Sequence, residues 1–150
     1  MDYLIGRGVT CLAVLDISAA ALERARARLG AAATRVTWIE GDVTGAWAIP
    51  RVDIWHDRAV FHFLTDPADR MRYLDRLRQG LRSGGTLIIA TFAPDGPEKC
   101  SGLPVARYDP AALAAELGGD FRLEESRAEH HVTPAGATQS FWYSRFTRVS

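Results

Sequence analysis

Residues 86–93 read TLIIATFA, the strongest strand signal in the chain and one that must lie at the centre of a sheet. A strand this apolar is stable only where both of its faces are covered, as in a parallel sheet flanked by helices. The stretch Thr10–Asp16 has the same character, with Cys, Leu, Ala, Val and Leu running without polar alternation up to a single carboxylate, Asp16. A helix follows at once. Ser18 suits its N-cap, Ala21, Leu22, Ala25 and Leu29 recur at helical spacing, and Gly30 suits its C-terminal cap.

The alternation continues along the chain. Val36–Glu40 reads as a strand ending in the turn Gly41, Asp42, and Val52–His56 reads as another. Asp66 and Pro67 open a helix whose apolar face is Met71, Leu74, Leu77 and Leu81, with Gly84 and Gly85 expected to close it before Thr86–Ala93. From Pro94 a long Pro- and Gly-rich loop leads to a helix capped by Asp109 and Pro110, with Leu113 and Leu117 inside and Gly118 and Gly119 at its end. Phe121–Val132 and Gln139–Val149 are strand-like and joined by TPAGAT, short enough for an antiparallel hairpin. The order predicts an α/β fold in one domain over residues 1–150: a doubly wound, mostly parallel sheet with a C-terminal antiparallel hairpin.

Composition narrows the function classes. The 150 residues carry 18 Lys plus Arg against 18 Asp plus Glu, so no net field favours nucleic acid or an anionic membrane. The two cysteines, Cys11 and Cys100, have no metal-ligand spacing around them, and a reducing, cytoplasmic setting is the simplest expectation. The sequence holds no apolar run of membrane-spanning length and suggests no metal site. His130 and His131 are adjacent on a strand and so point to opposite faces, and Phe141, Trp142, Tyr143 and Phe146 read as core.

Four segments in order carry a family resemblance. LDISAAALERARARLG, GDV at 41–43, HDRAVFHFL at 56–64 and LRSGGTLIIATFAPDGP at 81–97 together resemble the class I S-adenosylmethionine-dependent methyltransferases, over nearly the whole chain. The resemblance implies a Rossmann-like fold and S-adenosylmethionine as cofactor. One departure is large. The family pattern begins with a strand running into a glycine-rich turn, roughly ExGxGxG, and nothing before Asp16 matches it. DYLIGRG looks like the end of the helix that would follow that turn, so the expectation is an N-terminally truncated domain with its first strand missing, weak cofactor binding, and sheet edges open to self-association.

The same resemblance implies roles for individual residues. Asp16 ends a buried strand, where its carboxylate can accept from two neighbouring hydroxyl groups, as a cofactor ribose requires; it would serve equally as an acid at a helix start. Ile17 would then lie beside the adenosine, Asp42 would accept from the adenine amino group, and Val43 would meet the ring face, although an Asp after Gly is equally a turn residue. Asp57 and Arg58 border cofactor and acceptor in the family, with simple mutual pairing as the alternative. His56 or His62 is the candidate general base where an acceptor must lose a proton, and His62 between Phe61 and Phe63 is equally a packed neighbour. The segment 92–104 would form one wall or lid of the acceptor site. The acceptor, small molecule or protein side chain, is not legible. Two other classes stay open: a non-catalytic remnant or interaction module, and an NAD-dependent oxidoreductase, whose cofactor ribose Asp16 would suit as well.

Overall fold

The computed structural model describes residues 1–133 and 136–150, so Pro134 and Ala135 of the expected TPAGAT connection lie outside the described residues. The chain forms two compact units, Met1–Ile49 and Pro50–Ser150.

In the first unit, helix α1 (Asp2–Gly6) precedes strand β1 (Leu12–Asp16), helix α2 (Ala19–Leu29), a 3₁₀ segment (Gly30–Arg35) and strand β2 (Val36–Glu40). β1 and β2 pair in parallel, in register from Leu12 opposite Val36 to Asp16 opposite Glu40. Ser18 caps α2 as its chemistry predicts, its hydroxyl accepting from Ala21 N at 3.2 Å. Arg28 of α2 pairs with Asp2 of α1.

The second unit holds β3 (Val52–Arg58), α3 (Pro67–Gly80), β4 (Leu81–Phe92), the short pair β5 (Lys99–Cys100) and β6 (Leu103–Pro104), α4 (Pro110–Leu117), β7 (Phe121–Val132) and β8 (Thr138–Arg148). Its sheet runs β3-β4-β8-β7, with β3 parallel to β4 and the rest antiparallel. TLIIATFA is therefore central, between β3 and β8. Leu87 and Ile89 are fully buried on one face, where α3 adds Tyr73, Leu74 and Leu77. Ile54, His56 and Arg58 of β3 lie on the other face and are exposed. Two parallel pairs followed by an antiparallel hairpin give the Rossmann-like α/β class that the sequence predicts. Among the described residues β1 and β3 each pair on one side only, which leaves both as edges.

Three expectations need correction. Helix α3 ends at Gly80, where Leu81 turns extended (φ −89°, ψ 135°), and not at Gly84 and Gly85. Residues 81–85 instead form an irregular start to β4: Leu81 pairs with Val52 and Thr86 with Ile54. Gly84 takes φ +77°, and a Cβ on Gly85 would lie 2.7 Å from the Arg82 carbonyl, so both glycines serve this tight bulge. Met71 is 61% exposed, and the inner face of α3 is Tyr73, Leu74 and Leu77. Strand β3 continues two residues past His56, because the pairing runs on to Arg58 opposite Ala90.

The α3 assignment is testable by urea denaturation. Leu77→Ala empties a fully buried site on α3 and should cost about 2–5 kcal/mol. Met71→Ala, at an exposed position, should change stability by less than about 0.5 kcal/mol. A large loss for Met71→Ala would reverse the facing of the helix.

Candidate functional site

Parallel register brings the ends of β1 and β2 together. Gly41 N donates to the Asp16 carbonyl at 3.0 Å, so Asp16 and the Gly41–Asp42 turn share one end of the sheet. Asp16 Oδ1 accepts from Ser18 N at 2.8 Å, which fixes the turn into α2, while Oδ2 accepts from no described residue. Since Ser18 caps the helix itself, Asp16 keeps one oxygen open. Ile17 beside it is 72% exposed. Asp42 is built alike: one oxygen accepts from Thr44 N and Thr44 Oγ1, both at 2.8 Å, and the other is open. Val43 is half-buried next to it. These four residues offer two open carboxylate oxygens and two apolar side chains at adjacent strand ends. That set of acceptors and apolar side chains fits an adenosine, whose hydroxyl and amino groups need acceptors and whose ring needs apolar cover.

Asp57 lies differently from the expectation. It is 5% exposed and turned into the protein, where Oδ1 accepts from Val60 N at 2.9 Å and Phe61 N at 3.4 Å, and Oδ2 accepts from Tyr73 Oη at 2.7 Å. Both oxygens are thus engaged internally, and Asp57 does not pair with Arg58. Alternation along β3 sends Arg58 to the opposite face, where its Nε donates to Tyr143 Oη at 3.1 Å. Burial pushes the Asp57 carboxyl above its ordinary value, against the opposing pull of Tyr73 and the two backbone donors. Burial, and then Asp57 itself, hold the Tyr73 hydroxyl protonated well above its usual range.

The turn after Asp57 holds Ala59 in the left-handed region (φ 61°) and leads into a 3₁₀ turn, Phe61–Phe63. His62 sits there fully buried, stacked on Phe92 with ring centroids 4.6 Å apart and edge-on to Phe63 at 4.6 Å. Neither ring nitrogen has a hydrogen-bond partner among the described residues. Burial lowers its pKa to about 4, so the imidazole is neutral and a poor base at pH 7. His56 is exposed within β3, two residues short of the strand end. The loop after β4 folds back over the same region. Ala106 N donates to the His62 carbonyl at 2.8 Å, and Cys100 and Val105 pack on a cluster of Ala90, Phe92 and Phe141. Among the described residues no His, Cys, Asp and Glu side chains group as a metal site, and no helix is long and apolar enough to cross a membrane.

Sequence reasoning missed Tyr73, whose only signal is an aromatic ring in an otherwise aliphatic helix stripe. It also missed that Phe92 and Phe141 join His62, since residues 62, 92 and 141 meet only in the folded sheet.

The model of one family, described as a methyltransferase domain, matches residues 2–85. No curated protein matches the chain. Among solved structures, the N-methyltransferase NodS from Bradyrhizobium japonicum WM9 superimposes with a TM-score of 0.71 at 17% identity, covering 93% of this chain and 74% of NodS. A SAM-dependent methyltransferase from Methanosarcina mazei gives 0.71 at 12% identity, over 93% of this chain and 82% of that one. The 1,6-didemethyltoxoflavin-N1-methyltransferase of Burkholderia thailandensis gives 0.75 at 20% identity, over 99% and 65%. At these identities the likeness is one of fold.

The two buried titrating groups act on stability with opposite signs. His62 falls from 6.5 to about 4 on folding, so its contribution is complete above pH 6.5 and is lost as pH drops towards 4, about 3 kcal/mol in all. Asp57 is raised from 3.8, so the folded chain keeps a proton that the unfolded chain releases, and stability falls as pH climbs above 3.8. Denaturation across this range should show His62→Phe losing the first dependence and Asp57→Asn the second. Profiles parallel to the parent's would show that these groups titrate normally.

Proposed function

Because the chain belongs to the methyltransferase-domain family, we propose that it is an S-adenosylmethionine-dependent methyltransferase in which the ends of β1 and β2 hold the adenosine of the cofactor. The observation that carries this reading is the half-open carboxylate of Asp16 beside the Gly41–Asp42 turn. Asp16 Oδ2 accepts from the ribose hydroxyls, Ile17 and Val43 cover the adenine faces, and the open oxygen of Asp42 accepts from the adenine amino group. When bound, S-adenosylmethionine supplies a methyl group on a sulfonium centre. The family model crosses from the first compact unit into the second, which supports treating both as one methyltransferase domain.

Methyl transfer is a displacement that asks the protein chiefly to align two partners and exclude water. Asp57 serves this as a positioning residue, since its oxygens are spent on Tyr73 and on the turn that carries His62. His62, neutral and enclosed, orients; of the two candidate bases, exposed His56 is the one available where the acceptor must lose a proton.

Calorimetry with S-adenosylhomocysteine tests the reading. Asp16→Asn keeps the bond to Ser18 N but removes the charged acceptor, and should weaken binding roughly 10- to 100-fold. Unchanged affinity in Asp16→Asn, or tighter binding of NADH than of S-adenosylhomocysteine, would contradict it.

A further inference from the structure

A continuous row of aromatic rings runs through the second unit from Phe63 to His62, Phe92, Phe141 and Tyr143, with centroids 4.6, 4.6, 4.6 and 6.4 Å apart in turn. Within it His62 is anomalous. A fully buried imidazole with both nitrogens unpartnered forfeits the hydrogen bonds that water would give it, and buried polar groups in folded proteins are nearly always satisfied. Phenylalanine would fill the same space without that loss. Cys100 and Val105 pack over Phe92 and Phe141 of the row, and the chain just beyond is tied down where Ala106 N and Tyr108 N donate to the His62 and Phe92 carbonyls at 2.8 and 2.9 Å. The β5–β6 hairpin has two paired positions, Lys99 with Pro104 and Cys100 with Leu103. It turns through Ser101 and Gly102 at φ 50° and 82°, a left-handed strain for the serine, and leaves Leu103 58% exposed.

Resting on the methyltransferase reading, we propose that His62 is the acceptor-recognition group: a planar aromatic acceptor bearing an O–H or N–H enters as the β5–β6 hairpin lifts from Phe92 and Phe141, and donates to the orphaned imidazole nitrogen. The aromatic row supplies stacking surface, and the neutral ring supplies an acceptor between Phe63 and Phe92. Since the imidazole is held unprotonated by its burial, it orients the acceptor's donor atom and does not carry its proton away.

The test uses phenol and toluene as probes, of like shape and differing in one donor. On the whole chain, phenol should bind at least about tenfold more tightly than toluene, the value of one good hydrogen bond, and should move the His62 ring ¹⁵N resonances. His62→Phe should raise the melting temperature, keep toluene binding and abolish the preference for phenol. With Cys11 replaced by serine, phenol should also speed modification of Cys100 by a thiol reagent several-fold. Absence of binding by either probe, unmoved His62 resonances, a preference that survives His62→Phe, or an unchanged Cys100 rate would each overturn the proposal. The ¹⁵N measurement on the parent chain decides the matter if His62→Phe does not fold. None of these readouts needs the cofactor, so their failure leaves the Asp16 reading standing, whereas unchanged cofactor affinity in Asp16→Asn would overturn that reading without altering any of them.

Discussion

Parallel pairing in register decides where chemistry can occur in this protein. Strands that pair in parallel send whatever follows each of them to the same end of the sheet. In the first unit this brings Asp16 and the Gly41–Asp42 turn together through a backbone hydrogen bond. In the second, β3 and β4 run parallel to Arg58 and Ala90, and the turns beyond them carry His62 on one side and the 94–108 loop on the other. Side-chain identity then matters only at those ends, where the backbone has already fixed position.

Within the second unit a buried carboxylate holds the far end of β3. Asp57 costs stability by being buried, and it recovers part of that through three donors, two of them the first amides of the turn it stabilises. That turn needs such a hold, because Ala59 is left-handed, at a cost of about 1 kcal/mol for a residue with a Cβ. The hydrogen bonds from Val60 N and Phe61 N to Asp57 hold the turn that presents His62 to Phe92. Both oxygens of Asp57 are spent this way, whereas Asp16 and Asp42 each keep one oxygen without a partner among the described residues.

Much of this was legible in the chain. Apolar runs without alternation located β1 and β4, and local capping chemistry located the helix starts at Ser18, Asp66 and Asp109, all of which accept from the amides expected of them. What escaped was non-local. Met71 and Tyr73 are two residues apart on one helix, and only the sheet beneath decides which is inside. Gly84 and Gly85 carry the signature of a helix stop, yet Leu81 already pairs with Val52, so the helix must end earlier. The polar tail His56-Asp57-Arg58 hides the last turns of a strand. The partners of Asp57 and His62, at positions 73 and 92, are set by packing and have no local sequence signal.

The central claim is that adenosine lies at the joined ends of β1 and β2. Intermolecular nuclear Overhauser contacts between bound S-adenosylhomocysteine and the methyl groups of the protein test it most directly. The account predicts contacts from the adenine and ribose protons to the Ile17 and Val43 methyls; a bound nucleoside that touches neither would contradict it.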